Sequence, residues 1–207
     1  MPNLDRIYLY RITHIENIPH IIQNGFTHAS SPNANHDFVP IGDRSLIATR
    51  HGFMLNNGRL LGAYIPFYFG PRTPMLFVVQ RGYNAVAPTP PEHIVYCVSS
   101  VQKIVDLQLD FVFTDGHAVN RLSNQFLPED IEQIESLVDF NAAYARYWND
   151  ENDLDRKRRK EAEFLILGDI PSTAINGYLT YNDSSRERLI GFGIDANRVH
   201  VKPQFYF

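Results

Sequence analysis

The chain has 207 residues, of which 44% are hydrophobic, so it can bury one sizeable core. Its formal net charge of -4 argues against a globally basic nucleic-acid binder, although a local basic groove is compatible with that sum. The single cysteine, Cys97, excludes an internal disulfide and a multi-cysteine zinc site, and its apolar neighbours indicate a buried thiol. Since no apolar run approaches the ~18 residues that span a bilayer, the sequence predicts a cytoplasmic, soluble protein.

The first predicted elements are a strand, a short helix and a long loop. The stretch RIYLYRI alternates between polar and apolar residues, as a strand does. The stretch HIENIPHIIQNGF predicts a helix with three isoleucines on one face, and Asn24-Gly25 ends it. Residues 30–44, SSPNANHDFVPIGDR, are rich in Pro, Asn, Asp and Gly, and they predict an irregular loop long enough to bind a ligand.

Strands and helices alternate through the rest of the chain. The stretch YIPFYFGPRTPMLFVV predicts two aromatic-rich strands separated by the turn GPRTP. HIVYCV and DFVFTD predict strands with a helix between them, from Ser100 to about Leu107. LPEDIEQIESLVDFNAAYARYW has helical spacing, with Pro128 at an early position, and predicts a helical insertion at about 118–155. AEFLIL, INGYLTY and RVHVKPQFYF predict strands, SSRERLIGFG predicts a helix, and the order indicates one α+β domain over 1–207 with six to eight strands.

Two short motifs offer polar groups at strand ends. In YRITH, Arg11 and His14 could face a ligand at a sheet edge, or His14 could bond the backbone. In FTDGHA, Gly116 permits a tight turn that presents His117. Asp115 there could take part in acid–base chemistry or bond nearby amides, and no nucleophile elbow accompanies it.

The long loop supplies further hydrogen-bonding groups: Asn33, Asn35, His36 and Asp37. Arg44 ends the loop and Arg50 follows it, and the two could hold a pyrophosphate through paired donors or lie solvated on the surface. The spacing of His36, Asp37 and His51 matches no metal motif, so the sequence predicts no metal site.

The stretch RKRRKEAEF places a basic run before a carboxylate at the mouth of an apolar strand. If residues 162–167 form a strand, Glu161, Glu163 and Leu165 share one face. A lone carboxylate there is costly unless it is paired or functional, and nearby arginines would keep it ionised for general-base chemistry. Charge and burial alone do not choose between Glu161 and Glu163. The basic run is either a solvated segment or a nucleic-acid contact.

Five stretches follow one another over roughly residues 8–170: YRITHIENIPHIIQNG, SPNANHDFVPIGDRSLI, IPFYFGPRTPML, FTDGHA and RKRRKEAEFLI. In this order they resemble the DarT family of DNA-modifying ADP-ribosyltransferase toxins. The resemblance implies an α+β ADP-ribosyltransferase fold, with two small packed β-sheets around an NAD cleft and a helical substrate-loop insertion. It implies that NAD, as co-substrate, donates ADP-ribose to a base of single-stranded DNA, with thymine favoured over guanine. It also implies a macrodomain antitoxin as partner, and no membrane.

The resemblance assigns residues by motif position. Glu163 matches the catalytic glutamate, and Arg50 is preferred over Arg44 as the catalytic, NAD-positioning arginine. The predicted NAD contacts are His14, Asn24, Asn33, Asp37, Arg44, Arg50, Phe67 and Tyr68. The predicted DNA contacts are Arg72, Met75, His117, Arg156 and Arg158, within a basic groove that could also include Arg81, Arg121, Arg146, Lys157, Arg159 and Lys160.

The chemistry fits a fixed carboxylate. Breaking the nicotinamide–ribose bond builds positive charge on the ribose, which Glu163 would stabilise, and the same group would accept the proton of the attacking ring nitrogen. Two other classes stay open: an ADP-ribosyltransferase that acts on RNA or protein, and a non-catalytic nucleic-acid-binding module.

Overall fold

The computed structural model describes residues 2–207 and contains eight strands and eight α-helices in that range. The strands are β1 (Tyr8–His14), β2 (Tyr64–Tyr68), β3 (Ile94–Ser100), β4 (Phe111–Thr114), β5 (Gln125–Phe126), β6 (Glu163–Leu167), β7 (Gly177–Thr180) and β8 (Val199–Val201). The helices are α1 (Ile18–Asn24), α2 (Arg44–Gly52), α3 (Pro74–Arg81), α4 (Val101–Asp106), α5 (Ile134–Leu137), α6 (Phe140–Tyr144), α7 (Arg156–Lys160) and α8 (Asp183–Gly191).

The eight strands form one sheet in the order β5-β4-β6-β2-β1-β3-β7-β8. All neighbours are antiparallel except β7 and β8. The contact between β1 and β2 consists of a single residue pair, Tyr10 with Tyr68, whereas β1 and β3 pair along their whole length. The two small sheets expected from the resemblance are therefore the two four-stranded halves of one sheet, and they are joined at one pair.

Three apolar clusters cover the two faces of this sheet. The largest lies on one face and contains side chains from both halves, among them Leu9, Phe67 and Phe164. On the other face, α3 packs Leu76 and Val79 against one half, and a third cluster covers the second half. Because the two smaller clusters are separate, a space remains between them over the junction of the two halves.

The predicted second strand of the aromatic pair is wrong, because residues 74–81 form the helix α3. Thr73 caps its first turn by accepting the Leu76 N–H, Pro74 occupies the start, and Gly82 ends it with φ of 72°. Proline at the first helical position and glycine after the last are helix signals, and they outweigh the strand preference of an apolar run.

Other elements follow the predictions with smaller changes. Gly25 ends α1 with φ of 75°, and Ser100 caps α4, as expected. The helix α2 was not predicted, since the stretch before it reads as loop. The region 118–155 holds short helical turns and the two-residue strand β5 instead of one long helix. The terminal stretch is a strand only over Val199–Val201 and then turns into a short 3-10 helix, where Pro203 removes a backbone donor.

None of the helices within residues 2–207 has the length and apolar character that crossing a bilayer requires. Cys97 is free and buried in β3, as its apolar neighbours predicted.

Candidate active site

A cleft of about 390 Å³ opens where the two halves of the sheet meet. Its walls include residues 11–13 of β1 and Tyr64, Pro66 and Tyr68 of β2. Helix α2 and the second half of the long loop, residues 40–43, lie on one side, and α3 lies on another. The cleft thus forms where β1 and β2 are not paired, which leaves backbone and side-chain groups of both strands free to meet a ligand.

Glu163 and Arg50 form a buried ion pair beneath this cleft. The Glu163 side chain is fully buried at the start of β6, and Arg50 is 13% exposed in the last turn of α2. Two parallel hydrogen bonds join them: Arg50 Nη1 donates to Oε1 at 3.0 Å, and Nη2 donates to Oε2 at 2.7 Å. A bidentate arginine fixes both the charge and the orientation of a carboxylate. Glu163 is therefore held in one position before any substrate binds.

The turn FTDGHA provides the rest of the carboxylate's environment. The Ala118 N–H donates to Glu163 Oε1 at 2.8 Å. Thr114 Oγ1 accepts the Glu163 N–H at 3.1 Å and donates to the Gly116 carbonyl at 2.6 Å. The motif thus forms a tight turn whose backbone donates a hydrogen bond to Glu163. It also presents His117, which is a second and separate role.

Burial and charge act in opposite directions on the ionisable groups here. Burial would raise the pKa of Glu163, but the charge and hydrogen bonds of Arg50 hold that pKa below its usual range. Burial likewise opposes the charge of Arg50, while Glu163 raises the Arg50 pKa above its usual value. Burial lowers the pKa of His117, and the charges of Arg50 and Lys157 lower it further, against the pull of Glu163. At neutral pH the site holds an ionised Glu163 and a neutral His117.

Arg11 lines the cleft, although the predicted NAD contacts include His14 of the same motif and not Arg11. Its Nη1 donates to the Pro66 carbonyl at 2.8 Å, and so bridges β1 and β2 where the strands do not pair. The guanidinium lies 5.2 Å above the centre of the Phe26 ring. Its Nε is buried and has no partner within residues 2–207, and burial lowers the Arg11 pKa to about 10. The sequence offers both Arg11 and His14 of YRITH as polar groups, and only the structure shows that Arg11 lines the cleft while His14 does not.

Among the predicted NAD contacts, Arg50 and Tyr68 line the cleft. The Tyr68 hydroxyl donates to the Met75 sulfur at 3.7 Å, and burial raises the pKa of that hydroxyl. Phe67 points to the opposite face of the sheet, where it is buried in the main core. Arg44, the rival of Arg50, is exposed at the first position of α2. The structure thus places Arg50 at the cleft and Arg44 outside its walls, and the role of Arg50 in positioning NAD stays a prediction.

The remaining predicted NAD contacts lie away from the cleft walls. The ring of His14 packs against His93 with centroids 5.5 Å apart, and its Nδ1 accepts a backbone N–H at the end of β1. Asn24 bonds back to its own helix, and Asn33 and Asp37 lie in exposed turns of the long loop. Within residues 2–207, none of these four side chains lines the cleft, so a contact with NAD would require the loop or the ligand to extend beyond it.

Met75 and His117 line the cleft, and their contact with a target base stays a prediction. The basic run lies in α7, where aspartates neutralise its arginines. The ion pairs join Arg156 to Asp150 and Asp153, Arg158 to Asp115 and Asp155, and Arg159 to Asp139, Asp153 and Asp155. Lys160 is fully buried, and its Nζ donates to the carbonyls of Pro71 at 3.2 Å and Ala143 at 3.0 Å. The run therefore holds neighbouring segments together, and the DNA contacts of Arg156 and Arg158 stay a prediction.

A second, more open groove of about 450 Å³ adjoins the cleft. His117, Lys157 and Glu161 line both spaces. Burial raises the pKa of Glu161 to about 7, with Lys157 opposing and Glu163 reinforcing the shift. Glu161 is thus a second acid at the cleft wall, but unlike Glu163 it has no arginine partner within residues 2–207. In the same range, no three His, Cys, Asp or Glu side chains lie close enough to hold a metal ion.

The chain is similar to known proteins along most of its length. A family model described as DarT, ssDNA thymidine ADP-ribosyltransferase, matches residues 10–207. A DNA ADP-ribosyl transferase of Escherichia coli O127:H6 is 31% identical over 99% of this chain and 95% of its own length. A fusion of a DNA ADP-ribosyl transferase with a DNA ADP-ribosyl glycohydrolase, from Thermosipho africanus, is 27% identical over 76% of this chain and 38% of its own length.

Solved structures of the Thermus sp. 2.9 protein DarT share the fold. Its complex with NAD⁺ matches 100% of this chain and 99% of its own, with a TM-score of 0.79 and 28% identity. Its complex with ADP-ribosylated ssDNA matches 100% of this chain and 98% of its own, with a TM-score of 0.82 and 28% identity.

Proposed function

The chain belongs to the DarT family and is an NAD-dependent DNA ADP-ribosyltransferase, and we propose that its active site, which contains Glu163 and Arg50, modifies thymidine of single-stranded DNA. One observation carries this assignment of the site: a fully buried carboxylate, paired in bidentate fashion with an arginine, lies beneath the cleft where the two halves of the sheet part. Such a pair costs free energy to desolvate, so it is a poor device for stability alone.

The reaction needs negative charge at a fixed place. When the bond between nicotinamide and ribose breaks, its electron pair leaves with nicotinamide, and the ribose carbon becomes positive. An oriented carboxylate in a site with little water stabilises that charge strongly, because no solvent has to reorganise. Arg50 and the Ala118 N–H keep Glu163 ionised and aimed. The base nitrogen then forms the new bond to the ribose carbon, and Glu163 accepts the proton that this nitrogen loses.

The cleft residues suit NAD as the co-substrate. Arg11 carries a buried Nε with no partner within residues 2–207, and both Arg11 and Tyr68 line the cleft. A guanidinium with a free donor fits a diphosphate oxygen or a ribose hydroxyl, and an aromatic ring offers a face to nicotinamide. We assign these contacts to Arg11 and Tyr68, and we assign to Arg50 the role of holding Glu163.

The DNA base enters on the side of His117 in this proposal. A neutral imidazole both donates and accepts hydrogen bonds, so His117 can contact the edge of a base without adding charge. Met75 lies on the other wall and gives an apolar surface on which an unstacked base can rest. Attack by a ring nitrogen requires an unstacked base, which favours single-stranded DNA.

The fusion found in Thermosipho africanus joins a DNA ADP-ribosyl transferase to a DNA ADP-ribosyl glycohydrolase. This supports the proposal that a separate macrodomain antitoxin, which removes the modification, is the partner of this chain. Because the reaction consumes NAD and modifies DNA, we also propose a cytoplasmic site of action.

The experiment that tests the function supplies ³²P-labelled NAD with separate acceptors. The acceptors are two single-stranded oligonucleotides that differ only in carrying thymine or guanine at one position, an RNA of matched sequence, and a protein mixture. We expect label on the thymine oligonucleotide alone, with mass spectrometry placing one ADP-ribose on the base. Label on RNA or protein in place of DNA would refute the acceptor, and label on guanine alone would refute the base.

A further inference from the structure

The positive charges that the sequence placed in one basic groove divide into two groups. The arginines of α7 are paired with aspartates and are therefore largely neutralised. Arg81 and Arg146 are exposed, and within residues 2–207 neither forms an ion pair. Within the basic run only Lys157 is exposed and outside the ion pairs of residues 2–207, so most of the charge still available to an anion lies elsewhere.

Arg72, Arg81 and Arg146 converge on one open groove of about 550 Å³, which we call the arginine groove. They come from three separate segments: the turn after β2, the last turn of α3, and the stretch after α6. No Asp or Glu of residues 2–207 lines this groove. Burial lowers the pKa of Arg72, and the neighbouring charge of Arg146 lowers it further. Like charges held together without an acidic partner repel one another, and a bound anion would relieve that repulsion.

Aromatic rings accompany the three arginines. Tyr144 and Phe205 line the groove, and Tyr144 is 44% exposed. Tyr147, 64% exposed, lies under the guanidinium of Arg146 with its ring centre 5.5 Å away. Exposed rings interleaved with arginines are the usual surface for single-stranded nucleic acid, because bases stack on the rings while phosphates meet the charges.

The arginine groove adjoins the NAD cleft. Tyr68 lines the cleft and Arg72 lines the groove, with only the turn at 69–71 between them. Helix α3 then presents Met75 to the cleft and Arg81 to the groove. A strand whose target base lies in the cleft could therefore have neighbouring nucleotides in the groove.

We propose that the arginine groove binds the phosphates, and an unstacked base, of nucleotides that lie more than one position from the target in single-stranded DNA. This proposal rests on the proposed function. Under it, the groove sets affinity for long strands and the cleft performs the chemistry. Arg72 also braces the fold, since its Nη1 donates to the Tyr206 carbonyl and its guanidinium lies 4.1 Å above the Phe207 ring. Arg81 and Arg146 are therefore the residues to change.

The test compares Arg81→Gln/Arg146→Gln with wild type in ADP-ribosyl transfer to two acceptors. One is a single-stranded oligonucleotide of about 20 nucleotides with one central thymine, and the other is a trinucleotide with the same core. For the long acceptor we expect KM to rise about tenfold near 0.15 M salt, and the slope of log KM against log salt to fall by about 1.4, or 0.7 per lost phosphate contact. The kcat for both acceptors and the KM for the trinucleotide stay unchanged.

The control is Arg6→Gln/Lys103→Gln, which removes the same charge from the elements that pack on the main core, on the opposite face of the sheet. It should leave all of these values as in wild type. An unchanged KM for the long acceptor in the groove variant would overturn the proposal, as would an equal rise in the control or with the trinucleotide. Fluorescence anisotropy of the long oligonucleotide without NAD measures the same slope independently of catalysis. If wild type bound through the groove but transferred nothing, the proposed function would fail and the groove would stand.

Discussion

Replacing Arg50 with alanine should destabilise the protein through the acid it leaves behind. In the native site Glu163 is fully buried and receives three hydrogen bonds, two from Arg50 and one from the Ala118 N–H. Arg50→Ala removes two of them and the only positive charge in direct contact. In the native site the charge of Arg50 outweighs the effect of burial on the Glu163 pKa. Without Arg50, burial would raise that pKa.

The expected loss follows from the cost of an unpaired buried charge. Removing one partner of such a pair costs about 3–5 kcal/mol. Because Arg50 is 13% exposed, water can enter the space it leaves, so we expect about 3 kcal/mol near pH 7. The double variant Arg50→Ala/Glu163→Gln has no charge to strand and should recover about 2 kcal/mol of that loss.

The sign of the pH dependence is opposite in the two proteins. In wild type the depressed Glu163 pKa contributes stability above its unfolded value of about 4.3, and this is lost as pH falls through the folded pKa. In Arg50→Ala the folded pKa lies above that value, so stability falls as pH rises from about 4.3 through the raised folded pKa. The difference between the two proteins should therefore be largest near pH 7, shrink toward about pH 4 as the variant's Glu163 is protonated, and vanish only below the depressed folded pKa of wild type.

Urea unfolding followed by the fluorescence of the single tryptophan, Trp148, measures both effects. Arg44→Ala is the matched control, since Arg44 is exposed on the same helix, and it should change the free energy of unfolding by less than about 0.5 kcal/mol. A loss below about 1 kcal/mol in Arg50→Ala, or a loss that does not shrink at acid pH, would refute the ion-pair reasoning.

Three further predictions concern groups around the site. Burial raises the pKa of Glu161 to about 7, so wild type should lose stability as pH rises from about 4.5 to 7. Glu161→Gln should remove about 1–3 kcal/mol of that loss, as measured by urea unfolding at each pH. Lys160→Met strands two buried carbonyls and should cost about 1–3 kcal/mol by the same assay, whereas a neutral result would mean that water replaces the ammonium. Gly25→Ala would place a Cβ 1.9 Å from the Ile170 carbonyl oxygen at a φ of +75°, so its melting temperature should fall by an amount equivalent to more than about 1 kcal/mol; an unaltered melting curve would contradict this close approach.

The alternating strands and capped helices were predictable because their signals are local. The strand at AEFLIL and the stop at Gly25 depend on neighbours within a few residues. The same local reading assigned residues 74–81 to a strand, because an apolar run without polar interruptions is compatible with both structures until its caps are weighed. Helix α2 was missed because no buried residue marks its face.

The site was predictable as an acid at a strand, but its partner was not. Arg50 and Glu163 are 113 residues apart in sequence, and nothing local distinguishes Arg50 from Arg44. The motif comparison preferred Arg50, and the geometry favours it for a physical reason: its place in the last turn of α2 reaches beneath the cleft. The neutralised basic run shows the reverse case. Its charges were visible in the sequence, but the five aspartates that pair with them are spread over positions 115 to 155: Asp115, Asp139, Asp150, Asp153 and Asp155.

The central claim is that Glu163 performs the transfer of ADP-ribose to thymidine. The most direct measurement is single-turnover transfer to a thymine oligonucleotide by wild type and by Glu163→Gln, with NAD affinity measured on both proteins by calorimetry. We predict that the amide variant binds NAD within about threefold of wild type and loses transfer by about 10³-fold or more, because it keeps the shape and loses the charge. Transfer at the wild-type rate by Glu163→Gln, with the fold and NAD affinity intact, would contradict the account.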